Sequence, residues 1–150
     1  MKKTLMLNVT SSIFEVMETM FYFTVEEKDT AASDLSDLFD IQSARTCRIT
    51  FSGQFSGAIF LLIPKNVLGT MTQNFLGEGS DNLSEELTDG TLKEALNMIA
   101  GSALTKFDEK SYMGLGIPEV VELANLSLDE ESVIFNTGEG LIASFIQIDK

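Results

Sequence analysis

Val9, Ile13, Val16 and Met20 recur at helical spacing, which predicts an amphipathic helix over about residues 4 to 21 with Ser11, Ser12 and Glu15 on its polar flank. Tyr22 to Val25 reads as a short strand, and the acidic, small-residue-rich stretch from Glu26 to Asp40 as a loop with room for one helical turn. Residues 44 to 52 and 56 to 63 are β-rich runs around Ser52-Gly53-Gln54-Phe55, the pattern of a hairpin. The stretch from Ala58 to Ile63 is apolar on both faces, as in a central strand that Pro64 ends. Val67, Leu68, Met71 and Phe75 then predict a helix over 65 to 77 with a glycine stop. A long third helix follows Gly79-Ser80-Asp81-Asn82, covers roughly 84 to 107 and ends at Asp108-Glu109-Lys110-Ser111. The runs Pro118 to Asn125, Ser132 to Thr137 and Gly140 to Ile148 read as strands joined at Asp129-Glu130-Glu131 and Gly138-Glu139-Gly140. Such short turns imply an antiparallel meander. The order of elements predicts an α+β domain, an antiparallel sheet with two long helices and a shorter one packed on it, occupying residues 1–150 as a single unit.

Within the third helix, Leu92, Leu96, Ile99 and Ala103 fall within about 60° of one another on the helical wheel and make an inward stripe. Gly90, Glu94, Asn97 and Gly101 lie roughly opposite it. A carboxylate and a carboxamide therefore stand side by side between two residues without side chains. Glycine inside a helix costs about 1 kcal/mol relative to alanine, and a need for flat relief around a polar pair is one reason to retain two. The competing reading is a solvated face with no role. Met98 and Leu104 are expected to flank Asn97 on the exposed side, as ordinary surface residues or as a dry rim for a partner. The first helix echoes the third: superposing Glu15 on Glu94 places Ser11 on Gly90 and Glu18 on Asn97.

Composition narrows the chemistry. The chain has 150 residues, 44% of them hydrophobic, enough for one core without staples. Its formal charge of −13, from 23 acidic against 10 basic residues, argues against nucleic acid or an anionic membrane as partner. Cys47, the single cysteine, alternates with Ile49 and Phe51 and reads as core. There is no histidine, hence no imidazole base, no Ser-His or Cys-His pair and no zinc site of the usual kind. The glycine-rich phosphate loops of nucleotide-binding proteins are also missing. No convincing export signal and no run of the length a membrane span needs are found, which points to a cytoplasmic protein. Any chemistry falls to carboxylates and amides.

The stretch Glu94-Ala95-Leu96-Asn97-Met98-Ile99-Ala100-Gly101, the first helix from Ile13 to Met20 and the order of elements resemble the CheC/CheX/FliY family of chemotaxis phosphatases, most closely its CheX-like branch. The likeness covers nearly the whole chain. The family signature is an Asp or Ser, three residues, a Glu, two residues and an Asn, with a proline further on. Glu94 and Asn97 match its core, Gly90 stands at the Asp/Ser position between Asp89 and Thr91, and Pro118 follows at slightly shorter spacing. In the first helix Ser11 and Glu15 fit while Glu18 replaces the Asn, which resembles the single-site arrangement of CheX-like members. The resemblance implies hydrolysis of the aspartyl phosphate of a CheY-like response regulator. Glu94 would bind the receiver's lysine and Asn97 would orient the attacking water. It implies no cofactor in this chain, Mg2+ held in the partner's site, and a homodimer. The alternative is a receiver-binding module that has lost activity, to which Gly90 is the pointer.

Overall fold

The computed structural model describes residues 2–28, 44–77, 83–107, 114–122 and 132–149. Its elements are α1 (Lys2–Phe21), β1 (Glu26–Lys28), β2 (Ala44–Ser52), β3 (Gly57–Pro64), α2 (Lys65–Leu76), α3 (Glu85–Phe107), β4 (Gly114–Leu115), β5 (Glu119–Val121), β6 (Ser132–Asn136) and β7 (Leu141–Ile148). The strands form one antiparallel sheet in the order β1-β6-β7-β3-β2, with β4 and β5 both paired along the outer side of β2. The hairpin of β2 and β3 runs in unbroken register from Ala44 opposite Pro64 to Phe51 opposite Gly57.

β3 is the central strand, and its two faces build separate cores. Ile59, Leu61 and Ile63 join Cys47, Ile49 and Phe51 of β2 and the inward residues of all three helices. Ala58, Phe60 and Leu62 face the other way with Ile134, Ala143 and Phe145, and the rings of Phe60 and Phe145 stack 4.6 Å apart. Strands buried on both faces read as continuous apolar runs, which is why the segment from Ala58 to Ile63 lacks alternation. Cys47 lies in the helix-side core, and burial pushes its thiol up to about 12, leaving it inert as a nucleophile.

The helices follow their patterns with local shifts. α1 buries Leu5, Val9, Ile13, Val16, Met17 and Phe21, so Met17 and Phe21 close the core at its end while Met20 is largely exposed. The Phe23 amide donates to the Met17 carbonyl six residues back, and Tyr22 takes φ +60°, a left-handed turn that stops the helix. Tyr22 to Val25 is therefore not a strand. Phe23 and Val25 are buried in alternation, as an extended segment would be, but the ladder begins only where Glu26 meets Asn136. α2 ends at Gly77, φ +73°, whose amide donates to the Gln73 carbonyl.

The meander expected of the last three strands holds for β6 and β7 alone. β5 is an edge strand beside β2, with Thr46 opposite Val121; of the predicted 118–125, residues 119–121 are strand and 123–125 lie outside the described residues. Positions 29–40, 79–82, 108–111 and 129–131, assigned to loops or turns from the sequence, lie outside the described residues.

Candidate functional site

α3 is anchored at its start, along its first half and at its end. Ser84 caps its start, its hydroxyl accepting the Leu87 amide at 3.1 Å. Glu85 and Glu86 sit in the first turn and Lys106 in the last, each sign complementing the helix dipole. Arg45 on β2 ties the first half of α3 to the sheet: its Nε and Nη2 donate to the two carboxylate oxygens of Asp89 at 3.1 and 2.7 Å, and Nη2 lies 3.1 Å from Glu85. The hydrogen bonds that Arg45 donates to Asp89 hold the Arg45 pKa above its ordinary value.

This anchoring fixes how α3 is rotated. Leu92, Leu96, Ile99 and Ala103 are buried as the wheel requires, and Glu94 and Asn97 are exposed on the opposite side. Their Cβ atoms, three residues apart, are about 5–6 Å from each other. Neither side chain has a hydrogen bond or ion pair among the described residues. A Cβ added at Gly90 would meet nothing within 4 Å, and one at Gly101 would meet Leu115 Cδ1 at 3.9 Å. Packing requires glycine at neither position. Their effect is the flat relief they leave on either side of the pair.

Leu104 does not flank Asn97 in the open. It is 4% exposed, because α3 packs against α1 and α2 as well as the sheet and buries a wider arc than one stripe. Met98 is half-buried against the same core. The exposed apolar neighbours lie elsewhere: Leu87 on the preceding turns of the same face, and Leu115 beside Gly101, with exposed Ile117 two residues further along the chain. Sequence reading passed over Leu115, because its proximity to α3 depends on β4 pairing with β2 across a long separation.

Neither neighbour of Gly90 supplies its missing oxygen. Asp89 is committed to Arg45, and Thr91 is buried with its hydroxyl donating to the Leu87 carbonyl. The matching face of α1 is wired differently. Lys106 of α3 lies 3.0 Å from Glu15 and also donates to the hydroxyls of Ser11 and Ser12 at 3.4 and 3.5 Å, while Ser12 donates to Ser102. Glu18 is exposed beside them.

Two of the cavities bordered by the described residues lie away from the pair. One of about 250 Å3 is lined by Arg45, Lys65, Leu68, Leu83, Glu85 and Thr88, and one of about 140 Å3 lies at Lys2, Met6, Leu7 and Glu27. Glu94 and Asn97 line neither. Both side chains are exposed, open to a partner that approaches the helix from outside. Among the described residues no cluster of acidic or thiol groups could hold a metal ion, and no helix is long and apolar enough to cross a membrane.

The family model described as chemotaxis phosphatase CheX matches residues 45–136, and the chain belongs to that family. Solved structures share the fold over nearly full length. The chemotaxis protein CheX of Desulfovibrio desulfuricans superposes with a TM-score of 0.77 at 14% identity, covering 97% of this chain and 99% of that one. CheX of Vibrio vulnificus gives 0.74 at 21% identity, covering 97% and 96%. CheX in the CheX–CheY–BeF3–Mg2+ complex from Borrelia burgdorferi gives 0.72 at 16% identity, covering 96% and 97%. No curated protein matches the chain.

Proposed function

We propose that this chain hydrolyses the aspartyl phosphate of a CheY-like receiver domain, with Asn97 positioning the attacking water and Glu94 pairing with the receiver's lysine. The observation that carries this reading is the exposed Glu94–Asn97 pair, free of internal partners among the described residues, on the anchored helix of a CheX family member. The structural neighbour solved with CheY supports the choice of partner.

The chemistry suits these groups. Water oxygen attacks phosphorus, the bond from phosphorus to the aspartyl oxygen breaks, and the products are inorganic phosphate and a free aspartate. The transition state is loose, so positioning and electrostatics matter more than a strong base. The Asn97 carboxamide can accept a hydrogen bond from water and donate one towards the phosphoryl group without adding negative charge beside a dianion. A carboxylate there would repel it. Glu94 therefore belongs on the partner's ammonium, where an unpaired carboxylate forms a charge-assisted hydrogen bond. The Mg2+ required for the receiver's phosphoryl group resides in the receiver, and this chain contributes no ligand to it. The same proposal has the chain acting as one cytoplasmic domain, paired as a homodimer.

A second reading has the chain binding a receiver without hydrolysing its phosphate. Gly90 favours it, because Asp89 and Thr91 are both engaged elsewhere. One assay separates the two. Receiver domains from the same genome, phosphorylated with acetyl phosphate, are followed with and without the chain. A shortened phosphoryl lifetime supports the phosphatase, and binding with an unchanged lifetime supports the module.

A further inference from the structure

Ile117 is 87% exposed, the most of any large apolar side chain among the described residues. It is also held in place. Leu115 pairs with Phe51 across β4 and β2, and the next residue, Gly116, donates its amide to the Thr50 carbonyl at 2.8 Å. A Cβ at Gly116 would fall 2.3 Å from Thr50 Oγ1, so a side chain there would require the Thr50 hydroxyl to turn away. The aliphatic side chain that follows is presented from a fixed position, beside a Leu115 side chain that reaches to Gly101. Gly101 is one helical turn beyond Asn97.

We infer that Leu115 and Ile117 are the apolar anchor on which the receiver domain docks, extending the Glu94–Asn97 face beyond Gly101. The inference rests on the function proposed above. Two polar side chains cannot bury the roughly 1,200–2,000 Å2 of a specific protein–protein interface, so the contact must continue over neighbouring surface. Along α3 that surface is flattened at Gly90 and Gly101, with exposed Leu87 at one end and Leu115 at the other, and exposed Ile117 follows Leu115 by two residues. From Leu87 to Gly101 the helix alone spans about 21 Å. Apolar contacts at the ends of a polar centre exclude water from the Glu94 pair and strengthen it. Because the anchor is fixed before docking, little ordering entropy opposes the contact.

The test uses a receiver domain carrying beryllofluoride and Mg2+, titrated with the wild-type chain and with Ile117→Ser and Ile117→Leu. Ile117→Ser is expected to raise Kd about ten- to a hundred-fold, the equivalent of leaving one buried aliphatic side chain out of the interface. Ile117→Leu should restore most of the affinity, and in the dephosphorylation assay the loss should appear in KM rather than kcat. Unchanged affinity for Ile117→Ser overturns the anchor while leaving the role of Asn97 standing. If Ile117→Ser instead dissociates a dimer in sedimentation without altering receiver affinity, a second copy covers the patch and the inference fails. If the wild-type chain binds no receiver at all, the proposed function fails and the anchor with it.

Discussion

On α1, Ser11, Glu15 and Glu18 stand at the spacing that Gly90, Glu94 and Asn97 keep on α3, and the carboxylates of both helices point away from the core. Their surroundings differ. Glu15 is held against Lys106, which also bridges to the serine hydroxyls beside it, whereas Glu94 makes no ion pair among the described residues. A carboxylate that already has a cation gains little from a second, while an unpaired one is available to a lysine that a partner brings. The last position differs in charge: Glu18 adds a negative group where Asn97 adds none. Equal spacing thus reports a shared helix face, and distant residues decide whether that face can act on another molecule.

The sharpest way to break this comparison is Asn97→Ala. With the water-positioning amide gone, acceleration of receiver dephosphorylation should fall by about a hundred-fold or more, the range seen when one preorganised hydrogen-bonding group is removed. The exposed position of Asn97 means that thermal unfolding should match the wild type. Near wild-type turnover would sink the mechanism. Glu94→Ala should act on docking as well, weakening receiver affinity by roughly 2–5 kcal/mol if the pair with the receiver lysine is desolvated in the complex. Calorimetric titration that returned the wild-type Kd would show Glu94 to be solvated surface.

Much of this was legible in the sequence where periodicity is local. The β2–β3 hairpin, the Gly77 stop and the extent of α3 all follow from neighbouring residues. The outward placing of Glu94 and Asn97 follows from the inward stripe of the same helix. What escaped depends on partners far along the chain. Tyr22 to Val25 alternates like a strand but has no ladder partner, and β5 leaves the expected meander for the edge of β2. Leu104 is buried because α3 is flanked by other helices. The Arg45–Asp89 clamp and the Lys106–Glu15 pair join residues 44 and 91 positions apart, beyond any local pattern. They matter to the proposed mechanism, since one engages Asp89 beside Gly90 and the other occupies Glu15.

A milder perturbation sharpens the contrast. Lys106→Ala removes the cation from the α1 face, and because the pair is partly exposed its loss should cost about 0–1 kcal/mol, a fall in Tm of no more than a few degrees. Scanning calorimetry checks the cost. Dephosphorylation should continue at the wild-type rate, since freeing Glu15 does not supply an amide at position 18. A gain in activity would mean that Lys106 had been silencing a second site.

The smallest expected effect belongs to Glu18→Ala. Glu18 is exposed and stands where a working copy of the motif would carry Asn, yet a carboxylate there would face a phosphoryl dianion with like charge and could not take the role of Asn97. Its companion Glu15 is already paired, so the α1 face also lacks the free carboxylate that a receiver lysine would seek. Both deficits predict that removing the Glu18 side chain leaves the phosphoryl lifetime and receiver affinity as they are in the wild type. The measurement is the one used for Asn97→Ala, run side by side with the same phosphorylated receiver. A loss approaching that of Asn97→Ala would make α1 catalytic and end the single-site reading. A modest rise in affinity, by contrast, would show that the receiver passes close enough to α1 to feel its charge.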